Sequence, residues 1–122
     1  MSSASIAIVD DDEAVREAMK TLMRSLGYNA STFGSADEFL NSEQVDDTSF
    51  LITDLHMPGL SGVDLQDRLI ARGHRIPIIF ITGFPDYTAR ARAMRAGALA
   101  FLTKPINQHD LIDHLETALK AA

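Results

Sequence analysis

Apolar positions along the chain fall into two alternating patterns: short continuous runs, and longer stretches in which they recur every three or four residues. The first run, Ile6 to Val9, is compact, rich in β-branched residues and stops at a cluster of acids. The next stretch sets Val15, Ala18, Met19, Leu22, Met23 and Leu26 at helical spacing, with Arg16, Glu17, Lys20 and Arg24 opposite and Gly27 as its stop. A weak strand is predicted around Asn29 to Phe33, and Ser35-Ala36-Asp37-Glu38 reads as a capping box opening a short helix through Phe39 and Leu40. Phe50-Leu51-Ile52-Thr53 is a second continuous run, again stopping at an acid, Asp54. After the turn Met57-Pro58-Gly59, Ser61 can cap a helix whose inner face is Val63, Leu65, Leu69 and Ile70. Ile76 to Ile81 is the clearest strand and ends at Thr82-Gly83. A fourth helix is predicted over roughly Asp86 to Ala96, then a strand at Ala100-Phe101-Leu102 leading to Lys104-Pro105. Asn107 and Asp110 cap a last helix that turns Leu111, Ile112, Leu115 and Leu119 inward.

Strands alternating with helices call for an α/β fold with a parallel sheet covered on both faces. The strongest strands are unbroken apolar runs, as strands buried on both sides are. In such open sheets ligands gather beyond the carboxyl ends of the strands, where the strand order reverses. The polar residues that end the strands are Asp10 and Asp11, Asp54, Thr82 and Lys104. In the order 2-1-3-4-5 the first and third strands are neighbours, which brings Asp10, Asp11 and Asp54 together.

Composition narrows the picture further. With 122 residues, 46% of them hydrophobic, the chain is long enough for one core and too short for two. A net charge of -6 argues against a surface that binds a phosphate backbone. The absence of cysteine excludes disulfides and thiolate metal sites. The longest apolar run, Ile76 to Ile81, contains Pro77 and is far too short to cross a membrane. The opening MSSASIAIVD lacks the basic and apolar regions of a signal peptide, so a cytoplasmic location is expected. His109 and His114 are five apart and do not share a helix face as a metal pair would. His74 is expected at the surface, and Met19 and Met23 in the core.

Three carboxylates in one cleft repel each other, and a divalent cation resolves the conflict. Oxygen ligands without histidine or thiolate select magnesium or manganese over zinc. Magnesium often completes its shell with phosphate oxygens, so an incomplete carboxylate set implies a phosphate visitor. Lys104 then supplies a point charge and Thr82 a hydroxyl for a phosphoryl group on Asp54, since a carboxylate is a competent phosphoryl acceptor.

The blocks IVDDDEAVR, LITDLHMPGLSG, IIFITG and FLTKP together resemble the response-regulator receiver domain of two-component signalling, over essentially the whole chain. Within that family, ITG followed by MRAGALAFLTKP is most similar to the FixJ group. The resemblance implies a flavodoxin-like (βα)5 fold for residues 1–122, without an effector domain in this chain. It implies phosphotransfer from a sensor histidine kinase or phosphotransfer protein onto Asp54. It further implies Asp11 as a direct magnesium ligand, Asp10 as one acting through water, and the His56 backbone carbonyl as a third protein ligand. Thr82 and Lys104 would bind the phosphoryl oxygens, Phe101 would change rotamer on activation, and the bond before Pro105 would be cis. Ala100 departs from an acid frequent in receivers, and Gly83 from an alanine, the latter leaving the loop that carries Thr82 looser.

Two further expectations concern the output of the switch. The fourth helix carries Arg90, Arg92 and Arg95, and the fifth Asp110, Asp113 and Glu116, so two copies can pair charges across the fourth helix, fifth strand and fifth helix. His56 and Phe84, two residues beyond Asp54 and Thr82, are placed to tune loss of the phosphoryl group. Rival readings are a degenerate receiver used for docking and a small phosphatase with an aspartate nucleophile. The first is opposed by the complete residue set. The second is opposed by His56 where the phosphatase has an acid, and by the lack of length for a cap.

Overall fold

The computed structural model describes residues 4–120; residues 1–3 and Ala121-Ala122 lie outside them. The elements run β1 (Ser5–Val9), α1 (Glu13–Ser25), β2 (Asn29–Phe33), α2 (Ala36–Leu40), a 3-10 turn (Val45–Asp47) and β3 (Phe50–Asp54). They continue with α3 (Gly62–Ala71), β4 (Ile78–Thr82), α4 (Tyr87–Arg95), β5 (Ala100–Thr103) and α5 (Gln108–Lys120). The strands form one parallel sheet in the order β2-β1-β3-β4-β5, as the alternating pattern requires.

Every residue of β3 and β4 is buried, which is why their sequences carry no polar alternation. Successive side chains point to opposite faces and divide the core into two layers. Ala7, Val9, Leu51 and Phe80 pack with Phe39, Leu65, Leu69 and Ala93 beneath α2, α3 and α4. Ile6, Ile8, Ile52, Ile79 and Ile81 pack with Met19, Met23, Leu111 and Leu115 beneath α1 and α5.

Two local expectations are corrected. Ser35 does cap α2 through the Glu38 N–H (3.1 Å), but the Glu38 carboxylate accepts from the Gly34 N–H (3.1 Å), one residue earlier than a reciprocal box requires. The full box is at α3, between Ser61 and Asp64. Strand β4 starts at Ile78, because Pro77 has no N–H to offer the ladder, although its carbonyl still accepts from Leu51 N–H at 2.9 Å.

The buried faces also differ in detail. Ala18 and Leu26 lie at the exposed margin of α1. Ile70 is 50% exposed, whereas Gln66 is buried. With Gly62, Leu65 and Leu69 setting the buried arc of α3, Gln66 falls nearer its middle than Ile70. Helical position overrides side-chain polarity there, because the Gln66 amide finds a carbonyl on α4.

Candidate functional site

The ladders extend one residue past their strands and fix the chain where the polar residues stand. Asp10 N–H donates to Phe33 O (3.1 Å), Leu55 N–H to Ile81 O (3.0 Å), and Lys104 N–H to Thr82 O (2.7 Å). Asp12 caps α1 through the Ala14 N–H (2.9 Å), while its own N–H donates to Asp10 Oδ1 (2.9 Å). The Arg16 guanidinium donates to the Asp10 carbonyl at 2.7 Å.

This scaffold brings Asp10, Asp11 and Asp54 together, each offering an oxygen within 4.8 Å of the others. Asp10 and Asp54 are buried, while Asp11 is exposed. Lys104 Nζ lies 3.3 Å from Asp10 Oδ2 and 3.4 Å from Asp54 Oδ2, and the His56 N–H donates to Asp54 Oδ1 at 3.3 Å.

Burial pushes the Asp10 carboxyl above the usual carboxylate range, and the Asp54 charge adds to that, against the Asp12 N–H and Lys104. At Lys104 burial works against the ammonium, but the Asp10 and Asp54 charges outweigh it and hold its pKa above the ordinary lysine value. Three carboxylates therefore face one ammonium. The charge they leave uncompensated and their oxygen-only donor set fit a hard divalent cation.

The remaining predicted residues ring this cluster. Thr82 is buried, and its hydroxyl accepts from the Phe84 N–H (3.1 Å) and donates to the Phe84 carbonyl (3.0 Å), a local turn rather than a contact with Asp54. Phe84 is 72% exposed, and its ring meets the His56 ring edge-on, with centroids 6.5 Å apart. His56 Nε2 lies 3.8 Å from Asp86 Oδ2, whose other oxygen caps α4 through the Ala89 N–H (2.9 Å). Phe101 is half-buried and stacks on Phe80 with centroids 6.0 Å apart. The Lys104-Pro105 bond is cis.

Sequence reasoning assigned no role to Asp12, Arg16, Gly62 or Asp86. Asp12 and Asp86 carry a signal, an acid just before a helix, but their ties to Asp10 and His56 appear only in three dimensions. Gly62 sits under Asp54, where an added Cβ would collide with the Asp54 carbonyl oxygen.

A doubly wound parallel sheet whose carboxyl edge carries an acidic, oxygen-lined pocket closed by a lysine defines a class of α/β ligand-responsive domain. Residues 6–116 match the response regulator receiver domain, and the chain belongs to that family, the phosphorylation-activated element of two-component signalling. It is 46% identical over 117 residues to the response regulator protein TmoT of Ectopseudomonas mendocina, covering 96% of this chain and 53% of that protein. It is 36% identical over 117 residues to the transcriptional regulatory protein FixJ of Azorhizobium caulinodans, covering 96% of this chain and 56% of that one. The structure of response regulator StyR superimposes with a TM-score of 0.90 at 40% identity, over 98% of this chain and 61% of that one. FixJ-N superimposes with a TM-score of 0.86 at 35% identity, over 100% and 98%. The chain thus spans about half the length of the curated relatives it matches.

Proposed function

We propose that Asp54 is the phosphoacceptor of this receiver. Its carboxylate oxygen attacks the phosphorus of a phosphohistidine on a sensor histidine kinase or phosphotransfer protein, the N–P bond breaks, and the histidine nitrogen leaves. The observation that carries this reading is the meeting of Asp10, Asp11 and Asp54 oxygens within 4.8 Å, with Lys104 against two of the three carboxylates. Asp11, Asp54, the His56 carbonyl and, through water, Asp10 would hold magnesium or manganese. When bound, the ion supplies positive charge opposite the phosphoryl oxygens. Lys104 would trade part of its contact with Asp54 for a phosphoryl oxygen. Thr82 would turn its hydroxyl from Phe84 to the phosphoryl group, freeing the segment that leads into α4, and Phe101 would take a new rotamer against Phe80. The residues of the chain thereby promote both their own phosphorylation and its hydrolysis.

In this reading residues 1–122 work as one cytoplasmic receiver domain that binds neither nucleic acid nor membrane itself. Among the described residues no helix is long and apolar enough to cross a membrane. The test is intact-mass analysis after incubation with a small phosphodonor and magnesium. A single added phosphoryl mass is expected on the wild type and none on Asp54→Asn; an equal gain on both would place the acceptor elsewhere.

Phosphorylation would also promote pairing of two copies through α4, β5 and α5. Asp110, Asp113 and Glu116 are exposed on α5, and Arg90 and Arg95 on α4, whereas Arg92 is engaged by Asp67 and Asp64 of α3. Sedimentation with and without beryllofluoride should show a dimer only with the mimic, and a monomer in both states at high micromolar concentration would exclude it.

Phe84, two residues beyond Thr82 and with its ring against His56, would shield the phosphoryl group from in-line water. Phe84→Ala and Phe84→Asn should then lose phosphate several-fold faster than wild type. Unchanged rates would leave Phe84 as outward-facing surface.

A further inference from the structure

The fastening of α4 is unlike that of the other long helices. Its one buried residue is Ala93, with Ala89 packed beside it in part, so it contributes little apolar surface to the core. What holds it is polar. Arg92 is paired with Asp67 and Asp64, and Gln66 Nε2 donates to the Ala93 carbonyl at 3.1 Å, both links running to α3.

The Gln66 link leaves one atom of its own amide unpaired and shares its acceptor with a second donor. Among the described residues, Gln66 Oε1 is a buried side-chain atom without a hydrogen-bond partner. The Ala93 carbonyl, in contrast, already accepts the Ala98 N–H at 3.0 Å, while Gly97 N–H donates to Met94 O at 3.1 Å. Those two bonds close α4 in the left-handed stop that Gly97 makes at φ +103. An unpaired buried acceptor opposes folding, whereas the Ala93 carbonyl, an acceptor with two lone pairs, would keep the Ala98 N–H if the Gln66 donor were removed. Gln66 also lines a surface pocket of about 640 Å³ walled by Leu69, Ile76, Pro77 and Leu99, next to Ala96 and Gly97 at the end of α4. That space gives the helix end room to shift and a water room to reach Oε1 once it does.

We infer that Gln66 is a positioning residue whose half-satisfied amide holds α4 in a metastable resting position, ready to shift when the receiver is switched on. The inference rests on the reading of Asp54 as phosphoacceptor. The route to α4 is short: Thr82 is bonded to Phe84, and Asp86, two residues on, caps the helix. An apolar side chain at position 66 would fill the same space without an orphaned atom. It would make the resting position more stable and the switch stiffer.

The test replaces Gln66 with methionine, which keeps its length and removes its polar atoms, and separately with leucine. Melting is followed without phosphodonor, and beryllofluoride with magnesium is titrated while the Gly97 and Ala98 amide signals are observed by NMR. Both variants should melt no lower than wild type and bind beryllofluoride about tenfold more weakly, the factor that about 1.4 kcal/mol of differential stability produces. A purely structural contact would give the reverse, lower melting with unchanged affinity. Lower melting of both variants, or unchanged affinity in both, would overturn the inference while leaving Asp54 as acceptor. Failure of the wild type to bind beryllofluoride would overturn both.

Discussion

Magnesium at a hundredfold excess over its dissociation constant should raise the melting temperature of the wild-type chain by about 10 °C and leave Asp11→Ala unmoved. Folding gathers Asp10, Asp11 and Asp54, while the unfolded chain disperses them, so a cation bound among their oxygens favours the native state. At that excess, linkage adds about 2.7 kcal/mol, and in a domain of this size each kcal/mol moves the midpoint by about 3–6 °C. The charge the ion would relieve is that of the cluster itself, where burial and the neighbouring Asp54 make ionisation of Asp10 costly. Asp11 is the informative position because it is exposed, so truncation removes a ligand with little effect on packing. Thermal melts with magnesium chloride, against sodium chloride of equal ionic strength, measure the effect. An equal rise in both proteins would reduce it to nonspecific salt.

Gly62→Ala should lower stability by about 2–4 kcal/mol, at the upper end for overpacking a close-fitted site. A Cβ at position 62 would strike the Asp54 carbonyl oxygen and lie 3.1 Å from Phe80 Cε1 and 3.2 Å from Leu55 Cα. Two of those neighbours are backbone and cannot rotate away, and the Gly62 N–H is tied to Leu55 O at 2.9 Å, so the helix cannot easily retreat. The displaced group is the main chain of Asp54 itself, so slower phosphoryl uptake should accompany the lower melting point. Gly83→Ala is the control, since an added Cβ there meets nothing within 4 Å and is expected to change stability by less than about 0.5 kcal/mol. Equal melting of the two variants would show that the cradle under Asp54 is looser than its geometry implies.

The strands and the acids at their ends were legible because a doubly covered sheet leaves a plain mark, an unbroken apolar run that stops abruptly. Asp10 and Asp54 stand at such stops, and the order of the strands did the rest. What stayed hidden depends on contacts between elements distant in sequence. Helical angle sets Gln66 inside the apolar arc of VDLQDRLI and Asp67 outside it, but the α4 carbonyl that lets an amide be buried there is not written in the sequence. Ile70 looked like core because hydrophobicity was weighed above helical angle. The turn that occupies the Thr82 hydroxyl was equally out of reach, since sequence places a side chain at a strand end without saying which backbone atoms it meets.

The lysine–aspartate contacts that close the site join residues separated by 94 and 50 positions. Asp10 leaves the ribosome among the first residues of the domain and Lys104 near its last, so the charge balance around Asp54 is absent until β5 docks on β4. A nascent or truncated chain therefore carries Asp10 and Asp54 without the lysine that closes on them. The cluster is completed in one step, with the closing of the sheet.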